Sequence, residues 1–85
     1  MTEEVVTERI GEYIEENFLY MRPDLEIERD TPLLESGVLD SMGVIELIEF
    51  LESEFGIEVD EGEITEDNLE TIEAATDLVV RKQAG

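Results

Sequence analysis

The sequence predicts an all-α fold: a small four-helix bundle, three main helices plus one short one, with a long loop between helices 1 and 2. Three observations predict it. Apolar residues recur at three- and four-residue steps in three stretches, each stretch follows a residue able to cap a helix, and 85 residues allow one core and no second domain. The expectation is therefore a single domain over residues 1–85.

In the first stretch Val5, Val6, Ile10, Tyr13, Ile14, Asn17 and Phe18 fall mostly at helical steps with glutamates between them. Thr2 can cap it ahead of Glu3 and Glu4, so the first helix spans about residues 3–20. Pro23 and Pro32 interrupt the next segment, and Gly37 permits a tight turn before residue 39. Loops of that length are functional or packed by their own side chains, and Leu25, Ile27, Leu33, Leu34, Val38 and Leu39 are available to pin this one down. The second helix runs from Ser41 to Phe55, with Asp40 as N-cap and Gly56 as the stop. Stepping 100° per residue, Val44, Leu47, Ile48, Leu51 and Phe55 form its core stripe. Met42, Ile45, Glu46, Glu49 and Ser53 lie opposite, with Glu52 at the edge of that side and Phe50 on the flank. Residues 56–63 read as a loop, Thr65 to Leu69 as a short helical turn. Thr71 caps a last helix to about Lys82, with Ile72, Ala75, Leu78 and Val79 facing the core and Arg81 and Lys82 complementing its C-terminal dipole.

Composition excludes whole classes of function. The chain sets 25 Asp+Glu against 5 Lys+Arg, a net charge of −20, and residues 31–80 contain no positive charge. Such a surface repels phosphate backbones and anionic headgroups, so nucleic acid and acidic membranes are excluded as partners and a steered partner is basic. With no His and no Cys there is no Ser-His-Asp triad, no thiol nucleophile, no disulfide framework and no thiolate zinc site. Carboxylates are too abundant for any pair to mark acid–base catalysis. EF-hand loops aligned on Gly62, Gly56 or Gly43 would begin at Ile57, Leu51 or Val38, none of which offers a side-chain oxygen, so no metal site is indicated. The start Met1-Thr2-Glu3-Glu4 has neither the basic residues nor the apolar run of a secretion signal, and no apolar stretch reaches membrane-spanning length. A cytoplasmic monomer without membrane insertion is expected.

One spot can carry chemistry. In Gly37-Val38-Leu39-Asp40-Ser41-Met42 the hydroxyl of Ser41 sits in the first turn of a helix, where free amides and the positive dipole end favour a phosphate on it. Asp-Ser before an apolar-periodic stretch is also how an ordinary helix starts. Met42 and Ile45 among glutamates are a hint of a docking surface, or exposed hydrophobics of no consequence. Gly43 costs a helix about 1 kcal/mol against alanine, which would leave the helix start locally pliable.

The stretch Gly37-Val38-Leu39-Asp40-Ser41-Met42-Gly43-Val44-Ile45-Glu46-Leu47-Ile48 closely resembles the acyl and peptidyl carrier proteins, in which an Asp-Ser-Leu-like triplet opens the second helix of a four-helix bundle. The resemblance extends over almost the whole chain, through Asp30-Thr31-Pro32-Leu33, Phe55-Gly56-Ile57-Glu58-Val59 and the Thr71-Ile72 helix start. It implies a carrier and not an enzyme. A phosphopantetheinyl transferase would place 4'-phosphopantetheine from coenzyme A on Ser41, and the arm's thiol would hold an acyl or aminoacyl group as a thioester. Asp40 would be the motif residue that caps the helix and assists the transferase, and no residue of the chain would be catalytic. Met42, Ile45, Glu46, Glu49 and Glu52 would meet partner enzymes, among them a loading ligase and downstream biosynthetic enzymes with basic patches. The motif looks nearer to discrete D-alanyl or aminoacyl carriers and those of specialised pathways than to the housekeeping fatty-acid type. Leucine is frequent in the family where this chain has Met42. An acidic adaptor using the Met42/Ile45 surface without a prosthetic group is the other reading, and a small acidic hydrolase a third.

Overall fold

In the computed structural model, residues 2–19 and 26–84 are described, apart from the side chains of Glu66 and Asp67. Thr2 is extended and its hydroxyl accepts the Val5 amide, so α1 (Glu3–Ile14) starts at the predicted cap. Val6, Ile10 and Ile14 are wholly buried, Val5 is half-buried and Asn17 is exposed. Asn17 thus belongs to the solvent face, where its amide donates to the Tyr13 carbonyl at 2.9 Å. Beyond Ile14 the helix widens into a π-helical turn, Glu15–Leu19, which brings both Phe18 and Leu19 against the core. The predicted end at residue 20, Pro23 and Leu25 lie outside the described residues.

Residues 26–40 are tied to the far side of the bundle by backbone bonds. The Leu33 amide donates to the Glu70 carbonyl at 2.8 Å, the Leu39 amide to the Leu33 carbonyl at 3.0 Å, and the Glu73 amide to the Arg29 carbonyl at 2.9 Å. The last of these satisfies a donor that the start of the final helix would otherwise leave open. Leu33, Val38 and Leu39 are buried and Ile27 packs against them, as the loop reading requires. Leu34 is a correction: at 37% exposure it lies outside the core that Leu33, Val38 and Leu39 join.

The second helix, α2 (Ser41–Phe55), begins and ends at the predicted residues, with Asp40 as cap and Gly56 closing it at φ 65°. Leu47, Ile48, Leu51 and Phe55 are buried, while Val44 is only partly so. The stretch read as loop at 56–63 contains a 3-10 turn, Glu61–Glu63, and its Ile57 joins the core. Next comes α3 (Glu66–Leu69), capped by the Thr65 hydroxyl, and then α4 (Ile72–Ala84), whose Ala74 amide donates to Thr71 Oγ1 at 3.0 Å. That helix outlasts the predicted end at Lys82. It packs chiefly on α1, with Ile72, Ala75, Leu78 and Val79 inward. There the Thr76 hydroxyl, wholly enclosed, donates to the Ile72 carbonyl and accepts from Thr7, both at 2.9 Å. A buried hydroxyl so satisfied is tolerated without penalty.

Two cations near the end of α4 hold the segment before it. Arg81 donates to Asn68 Oδ1 at 3.1 Å, and Lys82 lies 2.8 Å from Glu63 Oε1 and 3.9 Å from Asp60. The Lys82 bond, helped by the Asp60 amide, holds the Glu63 carboxyl below its ordinary range, and Glu63 in turn raises Lys82. A carboxyl depressed on folding stabilises above its unfolded pKa, and that contribution is lost as pH falls through the lower folded value. An ammonium raised on folding stabilises below its unfolded pKa and loses this at still higher pH. Lys82→Met is therefore expected to melt below the wild type near about pH 7 and together with it near about pH 2. Thermal melts at the two pH values check this, and an equal gap at both would show that the lysine stem acts through packing instead.

Candidate attachment site

At residues 39–43 an extended strand of loop turns into a helix. Asp40 has φ −112° and ψ −171°, its Oδ1 accepts the Gly43 amide at 2.7 Å, and its carbonyl accepts the Val44 amide at 3.0 Å. Ser41 is the first residue of α2 and is exposed. No acidic side chain stands within the first turn of α2, so the positive end of a 15-residue helix is offset there by the cap alone. An exposed hydroxyl at such an end can carry a phosphodiester with the helix amides and dipole in its favour.

Met42 is 66% exposed and Ile45 52%, which makes them the apolar part of an otherwise acidic face with Glu46 and Glu49, both exposed. Glu52 does not join this face freely: its Oε2 accepts the Val59 amide at 3.0 Å, which ties it to the loop after α2. On the flank, Phe50 stacks on Tyr13 with ring centroids 4.1 Å apart, and the Tyr13 hydroxyl donates to the Glu46 carbonyl at 3.2 Å. Burial, and then the Glu46 and Glu49 carboxylates, push the Tyr13 phenol up, so it stays a neutral donor. A pair between Arg9 and Glu54 bridges the same two helices further along.

Sequence reasoning missed a groove of about 270 Å³ that opens at Ser41 and is walled by Leu34, Val44, Ile45, Ile64, Thr65 and Leu69. Its walls come from three separate segments, so no single periodicity announces it. The solvent-facing Leu34 and the partly exposed Val44 are explained by it. Gly43 is buried, and a Cβ there would stand 3.2 Å from both Phe18 and Leu39, close enough that a neighbour must give by a few tenths of an ångström. Among the described residues no group of three carboxylates is placed to hold a metal ion, and no helix is long and apolar enough to cross a membrane.

Comparison with known proteins agrees with this geometry. Residues 8–79 match the family model described as "Phosphopantetheine attachment site". A D-alanyl carrier protein of Streptococcus thermophilus (strain ATCC BAA-491 / LMD-9) is 39% identical over 77 residues, which cover 86% of this chain and 94% of the relative. The D-alanyl carrier protein of Streptococcus sanguinis (strain SK36) is 41% identical over 71 residues, covering 79% and 86%. Among solved structures, one described as "Crystal structure of FAD-dependent dehydrogenase" superposes with a TM-score of 0.72 at 27% identity, over 82% of this chain and 97% of that one. The all-helical fold, the family match and these relatives together make the chain a member of the phosphopantetheine attachment family, a carrier protein whose prosthetic group is 4'-phosphopantetheine.

Proposed function

We propose that Ser41 is the residue that takes the arm and that the cargo is a small aminoacyl group, with D-alanyl first among the candidates. The observation that carries the attachment is the exposed Ser41 hydroxyl at the Asp40-capped start of α2, whose first turn holds no acidic side chain. When bound, the arm supplies the thiol that this chain lacks and holds the cargo as a thioester. Asp40 contributes by capping: it fixes the turn that aims Ser41 outward, while the helix amides stabilise phosphate charge. The chain itself makes and breaks no bond of the cargo.

Support for a small cargo comes from the relatives' names and from the interior. Ile14, Leu33, Leu47, Leu51, Ala75 and Val79 are completely enclosed, so the core is closed to solvent, and the relatives the chain resembles are D-alanyl carriers. The groove beside Ser41 is open along exposed Leu34, Ile45 and Ile64. Partners are then a phosphopantetheinyl transferase, an aminoacyl-loading ligase and the enzyme that receives the cargo, each bringing basic groups to Glu46 and Glu49 and an apolar contact to Met42 and Ile45. We place this carrier in the cytoplasm as a single-domain monomer, since its own charge repels a second copy.

Incubation with coenzyme A and a broad-specificity transferase, followed by intact-mass spectrometry, is expected to add one arm to the wild type and none to Ser41→Ala. Helix content should be equal in the two. A wild-type chain that stays unmodified, with partner binding undiminished by Ser41→Ala, would favour the adaptor reading. Loading of the armed chain by a D-alanine-activating ligase, measured against ligases for longer acyl groups, decides the cargo.

A further inference from the structure

Gly43 lies two residues beyond Ser41, inside a helix, with a φ that any residue can adopt; the positive values among the described glycines belong to Gly37 and Gly56. Backbone freedom therefore does not explain it. Space does. A Cβ at Gly43 would stand 3.2 Å from Leu39 Cδ2, 3.2 Å from Phe18 Cε1 and 3.4 Å from the Asp40 Oδ1 that accepts its own amide. Around Gly11, which is also helical, a Cβ would meet nothing within 4 Å.

Three residues from two segments converge on this bare Cα. Phe18 arrives from the π-helical turn that extends α1, a local widening that is rare and recurs at functional positions. Leu39 is buried, is bonded through its amide to Leu33, and immediately precedes Asp40-Ser41. The Asp40 carboxylate closes the set through the Gly43 amide. The two side chains that press on Gly43 thus flank the turn that aims the Ser41 hydroxyl.

Resting on the reading of Ser41 as attachment residue, we infer that Gly43 is a positioning residue for arm transfer: its missing side chain seats Phe18 and Leu39 against the first turn of α2 and so holds Asp40-Ser41 in the orientation the transferase meets. The outward residues Met42 and Ile45 are untouched by this contact, so docking survives its loss while the aim of the hydroxyl does not. Displacement of a reacting atom by a fraction of an ångström lowers the rate of transfer without weakening encounter.

The test compares Gly43→Ala with Gly11→Ala in the full chain. Both replacements add helix propensity, and only the first adds crowding. Gly11→Ala is expected to raise the melting temperature by about 4 °C and to load like the wild type. Gly43→Ala is expected to gain less stability and to lose about fivefold in kcat for arm transfer at unchanged KM. Adding Phe18→Leu to Gly43→Ala, which makes room for the new methyl, should recover most of that loss. Loading of Gly43→Ala at the wild-type kcat, a stability gain equal to that of Gly11→Ala, or no recovery with Phe18→Leu overturns the inference while the wild type still takes its arm. A wild type that takes no arm removes the attachment reading, and this inference falls with it.

Discussion

Replacing Leu51 by alanine is expected to remove about 3 kcal/mol of folding stability, within the range for truncating an enclosed leucine. Leu51 has no exposed surface and lies at the centre of the α2 core stripe. A domain of this length holds roughly 4–13 kcal/mol in total, so the change takes a large share of it and lowers the melting temperature by roughly 12–24 °C. The contrast is Met42→Ala on the opposite side of the same helix, expected to stay within about 0.5 kcal/mol because its side chain is mostly in water already. Urea and thermal unfolding of the two variants check both numbers. A loss below about 1 kcal/mol for Leu51→Ala would mean that neighbouring side chains collapse into the space, and the closed core that argues for a small cargo would lose its support.

The helices were legible because their determinants are local. Asp40 and Gly56 bound α2 through a side-chain cap and a left-handed residue, each acting within one turn, and 100° stepping placed Leu47 and Leu51 inward and Met42 and Ile45 outward. What was not legible depends on contacts between distant segments. Leu34 looks like one more loop anchor beside Leu33, but Leu33 is taken by the Glu70 carbonyl and the core, while Leu34 is left to wall the groove at Ser41. Glu52 sits by its angle at the edge of the acidic face, and only the folded loop shows its carboxylate engaged by the Val59 amide. Gly43 reads as a weak point in the helix until Phe18 is brought up by a π-helical turn that no pattern of apolar residues foretells. The exposed first-turn position of Ser41 was legible, since it needs only the start of a helix and a hydroxyl outside the core. The route by which neighbouring elements hold it was not.

Reversing charge on the outward face is expected to slow arm transfer by about tenfold at low ionic strength. Glu46→Lys with Glu49→Lys exchanges two carboxylates for two ammonium groups and moves the net charge from −20 to −16. Glu28→Lys with Asp77→Lys, two exposed carboxylates outside α2, makes the same change in net charge. Steering by the whole-molecule field would slow both double variants alike, whereas docking at the Met42/Ile45 face slows the first far more. Glu52 is left alone, because replacing it would also release the Val59 amide and mix a folding effect into the rate. The deficit should shrink as salt rises toward physiological strength, where charges more than about 8 Å apart are screened. Transfer rates of the three chains, measured across a salt series with one basic transferase, separate the cases. Equal slowing of the two variants would assign recognition to bulk charge and leave Met42 and Ile45 as exposed side chains without a partner.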